Sequence, residues 1–334
     1  MSTLKLSGWV ELDGKRLSDR EIETLLRDRP QEILRCGGEF FFAGSGCRAR
    51  DHFGILQGNC PKGTLICGGE VRGKIEPAVP DLPLEEAIVR AVALRSDEGI
   101  TALSGGVDST LVARLAGREC MAVGIEDSHD LQRARLVADS LGLRCTAVVI
   151  RPAEIARALP SVVAAIPTRD PVNTAIALTQ FFITRFAGEQ GHKRILTGQG
   201  ADELFGGYSR YLDTTTLATD LERDFAGLEQ QAERDQTIAA LHGTYLSMPY
   251  LDMRVVRAAR AIPAEEKVCG GHRKVPLRKV AEHYIPAEFA WYEKKAMQYG
   301  SGVWKELQRL SRKNGYKTSV QDYIDQLYRV EHGH

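Results

Sequence analysis

GITALSGGVDSTLVARLAG, residues 99–117, decides the fold. The apolar run GITAL reads as a short strand and TLVARLAG as a helix, which makes Ser104-Gly105-Gly106-Val107-Asp108-Ser109 the turn between them. Such a turn is an anion site. Two glycines let the backbone close on an oxyanion, the new helix offers unpaired N–H groups at the positive end of its dipole, and hydroxyls flank it. The string lacks the lysine of the G-x-x-x-x-G-K-[ST] loop and the spacing of G-x-G-x-x-G. An acid inside an anion site requires a cation between the two charges, so Asp108 is expected to hold Mg2+ on bound phosphates. The plainer alternative is a strand-to-helix turn capped by Ser104 or Asp108.

Working outward, strand and helix alternate. Cys120–Ile125, Arg144–Ile150 and Arg194–Thr197 read as strands, and Ser109–Leu115, Leu131–Leu141 and Thr174–Ala187 as helices. This alternation predicts βαβ units and an α/β fold with a doubly wound parallel sheet. Residues 1–75 differ. Short apolar bursts punctuated by glycine, GGEFFFAGSG and CPKGTLICGG, predict a small β-rich domain. KIEPAVPDLP follows as an extended linker, so the division is residues 1–75 and 80–334. After Tyr208 the apolar spacing is helical, predicting a helical C-terminal lobe.

A second acidic turn lies in LTGQGADELFGGY, residues 196–208, where an apolar strand ends at Thr197-Gly198. Ligands of a doubly wound sheet sit beyond the carboxyl ends of its strands, so this turn should face the Ser104–Asp108 loop. Asp202 is then a second Mg2+ ligand, and Glu203 an ordinary first-turn acid that favours the helix dipole.

Lys plus Arg and Asp plus Glu are 44 each, a balance that argues against nucleic acid as a partner. No apolar run has the length of a membrane span, and MSTLKLSGWVELDGKRLSDR lacks the apolar region of a secretory leader, which predicts a cytoplasmic protein. The seven cysteines form no C-x2-C pair and read as free, mostly buried thiols rather than a zinc site.

SGGVDS resembles the pyrophosphate loop of the PP-loop ATP pyrophosphatases (adenine nucleotide alpha hydrolase-like), and GQGADELFGGY resembles the SGEGADELFGGY signature of asparagine synthetases. The likeness continues through MAVGIEDSHDLQRARLVADSLG, PYLD at residues 249–252, KVPLRKV at 274–280 and IPAEFAWYEKKAMQYGSG, covering about residues 80 to 315. It implies an enzyme that cleaves ATP to AMP and pyrophosphate to activate a carboxylate. ATP would be held by Ala102, Leu103, Ser104, Gly105, Gly106, Asp108, Ser109, Val123, Thr197 and Gly198, with Val123 against the adenine. Lys294 falls on the family's phosphate-contacting lysine, while Lys295 reads as a solvated charge.

Three departures shape the expectation. Gln199 replaces the glutamate implicated in handling the proton of attacking ammonia, and a neutral amide orients a nucleophile without accepting its proton. Related lactam-forming enzymes lack that glutamate as well. Ser2 stands where full-length relatives carry a catalytic cysteine, so residues 1–75 read as a shortened, structural relic of the amidotransferase domain, without glutamine hydrolysis. Thr168–Leu178 lacks the arginine that grips aspartate; Arg169, Asp170 and Asn173 are either polar substrate contacts or a loop and helix cap. The expected activity is an AMP-forming C–N ligase using a small carboxylate and ammonia or an amine, with Lys294 and Gln199 in catalytic roles. A second copy of the chain and a separate glutaminase are the macromolecular partners left open. A tRNA- or nucleobase-modifying enzyme and a non-catalytic nucleotide binder are the alternatives.

Overall fold

A computed structural model describes residues 4–294 and 296–332. Ser2 and Lys295 lie outside the described residues. The chain opens with strands β1 (Lys5–Leu12) and β2 (Lys15–Arg16), helix α1 (Asp19–Asp28) and strands β3 (Gly37–Gly44), β4 (Cys47–Arg50), β5 (Thr64–Cys67) and β6 (Glu70–Lys74). Helix α2 (Leu84–Ala93) leads into β7 (Ile100–Ala102), α3 (Val107–Ala116), β8 (Cys120–Ile125), α4 (His129–Leu141) and β9 (Cys145–Ile150). Then come α5 (Pro152–Ala165), α6 (Pro171–Glu189), β10 (Arg194–Leu196), α7 (Ala201–Phe205), α8 (Leu217–Ala226), α9 (Leu228–Ala240) and β11 (Tyr245–Ser247). Helices α10 (Met253–Arg260), α11 (Ala264–Lys267), α12 (Val275–Ala281), α13 (Ala287–Ala290), α14 (Met297–Gly300), α15 (Val303–Lys313) and α16 (Val320–His332) follow. No helix of the described residues is long and apolar enough to cross a membrane.

The chain forms two compact units from interleaved segments. One unit comprises residues 1–95, 199–232 and 247–276; the other comprises 96–198, 233–246 and 277–334. The helices after Tyr208 are therefore divided between the units rather than gathered into one lobe.

In the first unit, six strands pair antiparallel in the order β2-β1-β3-β4-β5-β6. Period-two alternation explains the sheet's inner face: Phe40 and Phe42 of β3 are fully buried, together with Val10 of β1 and Ile22 and Leu25 of α1. A capping box starts α1, with the Ser18 hydroxyl accepting from Glu21 N at 3.4 Å and Glu21 Oε2 accepting from Ser18 N at 2.8 Å. Free thiols were the expectation for every cysteine, and here the fold corrects it. Cys47 and Cys67 sit directly opposite on β4 and β5, and they are bridged. Adjacent strands bring directly opposed residues within disulfide reach, a proximity that residue spacing along the chain does not reveal. Cys36, Cys60, Cys120, Cys145 and Cys269 remain thiols.

The same unit carries a buried charge network. Glu39 of β3 accepts from Arg95 Nε at 2.8 Å, from Met248 N at 2.8 Å and from the Ser247 hydroxyl. Arg95 also donates to Asp252 at 3.0 Å, and Arg254 donates to both Glu11 oxygens at 2.8 and 3.0 Å. Each of these five carboxylate and guanidinium partners is at most 5% exposed, so each depends on the others for the hydration it has lost.

In the second unit, five strands run in the order β11-β10-β7-β8-β9, and β10, β7, β8 and β9 are parallel. Helices α4 and α6 both pack on β8. The chain steps outward from β7 to β8 to β9, then crosses to place β10 on the other side of β7. That reversal makes the gap between β7 and β10 the topological switch point, where such sheets take their ligands.

Candidate active site

Both expected loops emerge at this switch point. After β7, Leu103 N donates to Met121 O at 2.8 Å, extending the ladder to the edge of the turn. Gly105 adopts φ +74, a left-handed conformation, and a Cβ there would come within 2.6 Å of the Arg133 side chain. Gly106 is the N-cap of α3 and has no side chain to fill the helix start. The Ser109 hydroxyl accepts from Ser104 N at 3.1 Å and lies 2.8 Å from the Ser104 hydroxyl. The two hydroxyls thus close the turn upon each other. The first-turn N–H groups of α3 have no acceptor within the helix itself, and they lie at the positive end of its dipole.

The second loop touches the first. A Cβ on Gly198 would sit 2.8 Å from Asp108 Cβ and 2.9 Å from Ser109 N, so only glycine permits this approach. Thr197, just ahead of it, is buried. Val123 lies on β8, beside β7, and is also buried, with Val148 as its partner in β9. Ser104, Gly105, Gly106, Asp108, Ser109 and Gly198 are therefore brought together in one unit, while Gln199 and Asp202 belong to the other.

In that other unit Asp202 is engaged by Lys274, with Nζ 2.7 Å from Oδ1. A Cβ on Gly207 would fall 1.7 Å from Asp202 Oδ1 and 2.2 Å from Lys274 Cε, so the pair closes over a glycine. Glu203 stands in the first turn of α7, as expected, and does more than favour the dipole. It is 4% exposed and accepts hydrogen bonds from the Tyr208 hydroxyl and from Gln231 Nε2 (3.0 Å). Burial and then the nearby Asp202 charge push its carboxyl above the ordinary range.

Lys294 reaches the phosphate loop. A Cβ on Gly106 would come 2.6 Å from Lys294 Cδ, so the lysine chain lies across that glycine. Its ammonium stands 3.5 Å from Asp130 Oδ2. The segment carrying it is pinned to the first turns of α4, where His129 Nε2 meets the Tyr292 hydroxyl at 2.7 Å and the Arg133 guanidinium covers the Tyr292 ring at 3.7 Å. Burial raises the Asp130 carboxyl above the usual carboxylate range, and Lys294 and His129 draw it back. Asp130, Arg133 and Tyr292 were missed in the sequence reading. Nothing in HDLQRAR distinguishes an acid aimed at a distant lysine from one serving the helix dipole.

The Thr168–Leu178 segment resolves in favour of a helix cap. Asp170 caps α6, accepting from Val172 N and Asn173 N at 2.9 Å each. Arg169 lies over the Tyr328 ring at 3.8 Å, and Asn173 is held between Asp170 and Arg234.

The site fits a magnesium-bound polyphosphate. A side-chain-free helix start, a left-handed glycine turn and a lysine laid across it form an anion cradle that a Cβ at Gly106 would obstruct. Among the described residues no group of three or more His, Cys, Asp or Glu forms a metal cage. A divalent ion would rely on a carboxylate such as Asp108 together with phosphate oxygens and water, the usual surroundings of Mg2+.

Comparison with known proteins agrees with this geometry. The asparagine synthase family model matches residues 83–226 and 223–328. The chain is 32% identical over 293 residues to a chain of Methanocaldococcus jannaschii named as a glutamine-hydrolysing asparagine synthetase, covering 75% of this chain and 54% of that one. It is 31% identical over 239 residues to the carboxyethyl-arginine beta-lactam-synthase of Streptomyces clavuligerus, covering 69% and 46%. It is 28% identical over 227 residues to asparagine synthetase B of Escherichia coli, covering 60% and 40%. The chain spans about half the length of the curated relatives it matches. With the loop, the switch point and the lysine in place, and with the family model matched from residue 83 to 328, the chain belongs to the asparagine synthase family.

Proposed function

We propose that the protein is an ATP-dependent, AMP-forming C–N ligase. A substrate carboxylate attacks the α-phosphorus of ATP, pyrophosphate departs, and ammonia or an amine then displaces AMP to leave an amide. The single observation that carries this reading is the meeting of Gly106, Gly198 and Lys294 at the start of α3.

Each residue has a definite task. The start of α3 would receive the pyrophosphate oxygens, with Gly105 and Gly106 allowing the Arg133 and Lys294 side chains to pack against the turn. Lys294 would stabilise the charge that grows on the departing pyrophosphate. Ala102, Leu103 and Thr197 bring the strand ends to the cradle, and Val123 offers its backbone and apolar side chain to the adenine. Asp108 would hold Mg2+, which when bound neutralises phosphate charge; Asp202 is kept as a second proposed ligand. Gln199 would orient the nucleophile through its amide without accepting a proton, which favours an amine that reacts already neutral. Aspartate is the first acid to try, although Asp170 and Arg169 are committed to structural contacts.

The N-terminal sheet is assigned a structural role because it supplies Glu11 and Glu39 to the buried network. A cytoplasmic setting is proposed on the ground that the reaction consumes ATP. Ammonia could come free, as ammonium, or from a separate glutaminase.

The test is pyrophosphate release from Mg-ATP across a panel of amino and other carboxylic acids, with and without ammonium and simple amines. Release that depends on one acid, and that falls about a hundredfold or more in Asp108→Ala, is expected. ATP binding without release for any small acid would overturn the ligase reading and turn attention to an RNA substrate or a silent binder.

A further inference from the structure

We propose that Asp130 is a positioning residue for Lys294, fixing the lysine ammonium beside Gly106 before any phosphate arrives; this rests on the ligase reading above. Three features point to it. Asp130 stands in the first turn of α4 yet does not serve as that helix's cap, a place taken by Ser128. Its Oδ2 faces Lys294 Nζ at 3.5 Å and its Oδ1 faces His129 Nδ1 at 3.4 Å. The Asp130 side chain is only 6% exposed and Lys294 only 19%, so solvent and salt screen the pair weakly.

The carboxylate is also hemmed in. A Cβ on Gly300 would lie 2.1 Å from Asp130 Oδ1, which means that α14 abuts the acid and stops it from turning away. At the other end, the Lys294 methylenes cross Gly106 at a distance that admits no side chain. The lysine is thus bracketed by a glycine of the anion turn and by a buried acid. An ammonium has three N–H donors; one directed at Asp130 leaves two for incoming oxygens. A buried ion pair is a poor device for stability alone, because its desolvation cost offsets much of its attraction. A pair that holds a cation ready at an anion site has a clearer use, since geometry set in advance does not have to be created during the reaction.

The experiment is a double-mutant cycle on the full chain with Asp130→Asn, Lys294→Gln and both together. It has two readouts: binding of inorganic pyrophosphate with Mg2+ by calorimetry, and steady-state pyrophosphate release from ATP. Asp130→Asn is expected to lower kcat about tenfold or more while the KM for ATP moves less than about threefold, and to weaken pyrophosphate binding about fivefold. In the Lys294→Gln background the same substitution should change neither readout, because Asp130 acts through that lysine. Equal losses in both backgrounds would overturn the proposal and leave Asp130 a structural acid. Should Asp130→Asn fail to fold, Gly300→Ala displaces the carboxylate without removing it and should show the same dependence on Lys294. A wild-type protein that neither binds pyrophosphate nor releases it from ATP would overturn the ligase reading and this inference together. Wild-type binding and turnover with an additive cycle would overturn this inference alone.

Discussion

Asp51 accepts four backbone N–H groups in the turn after β4: from Phe40 at 3.2 Å, Phe53 at 3.1 Å, Ile55 at 3.0 Å and Leu56 at 3.2 Å. At 1% exposure the carboxylate holds these donors away from bulk water. Asp51→Ala strands them and should cost about 3 kcal/mol or more, read from the midpoint of denaturant unfolding. A change below about 0.5 kcal/mol would mean that water or a backbone shift replaces the carboxylate. Residue type announces such chemistry without naming the partner. Glu203 could be seen to start a helix, but not that Tyr208 and Gln231 close over it. Arg169 was visible as a cation near a site, but its ring partner, Tyr328, lies far along the chain.

At the scale of elements the sequence was most readable where a period had room to repeat. β8 spans the residues expected of it, and α3, α4 and α6 extend the expected helices by a few residues at one or both ends. β11 was hidden because three residues between helices cannot display an alternation, and only pairing with β10 makes it a strand. α1 carries a legible signal in Ser18 and Glu21, the capping box at its start. That both loops leave the carboxyl ends of β7 and β10 was legible from topology, since it follows from strand ends and a switch point. The approach of Gly198 to Asp108 was not, because glycine marks many turns and states no neighbour. That approach yields a test. Gly198→Ala places a methyl group against Ser109 N, a backbone atom that cannot rotate aside. It should destabilise the protein by about 1–3 kcal/mol and slow pyrophosphate release about a hundredfold. Chemical denaturation and steady-state rates measure the two effects, and near-normal turnover would show that the loops need not touch.

For the whole molecule, the buried network makes the N-terminal sheet part of a unit that also contains α2 and α10. A chain beginning at residue 80 would leave Arg95 and Arg254 with Asp252 as their one remaining acid from this group. Each broken pair costs about 3–5 kcal/mol, against a total stability of about 5–15 kcal/mol for an ordinary domain. Such a chain should express as aggregate or lack near-ultraviolet circular dichroism; a soluble, cooperatively unfolding product would refute this. The interleaving of six segments has a further consequence for biosynthesis. Glu39 waits for Met248, 209 residues later, and Glu11 waits for Arg254, 243 residues later. At about 5–20 residues per second on the ribosome, that interval is roughly ten to fifty seconds. Throughout it Glu11 lacks the guanidinium of Arg254, and Glu39, although Arg95 follows it by 56 residues, lacks the Met248 N–H. Chaperone occupancy during that window, more than the strength of the finished fold, would then set how much protein a cell obtains.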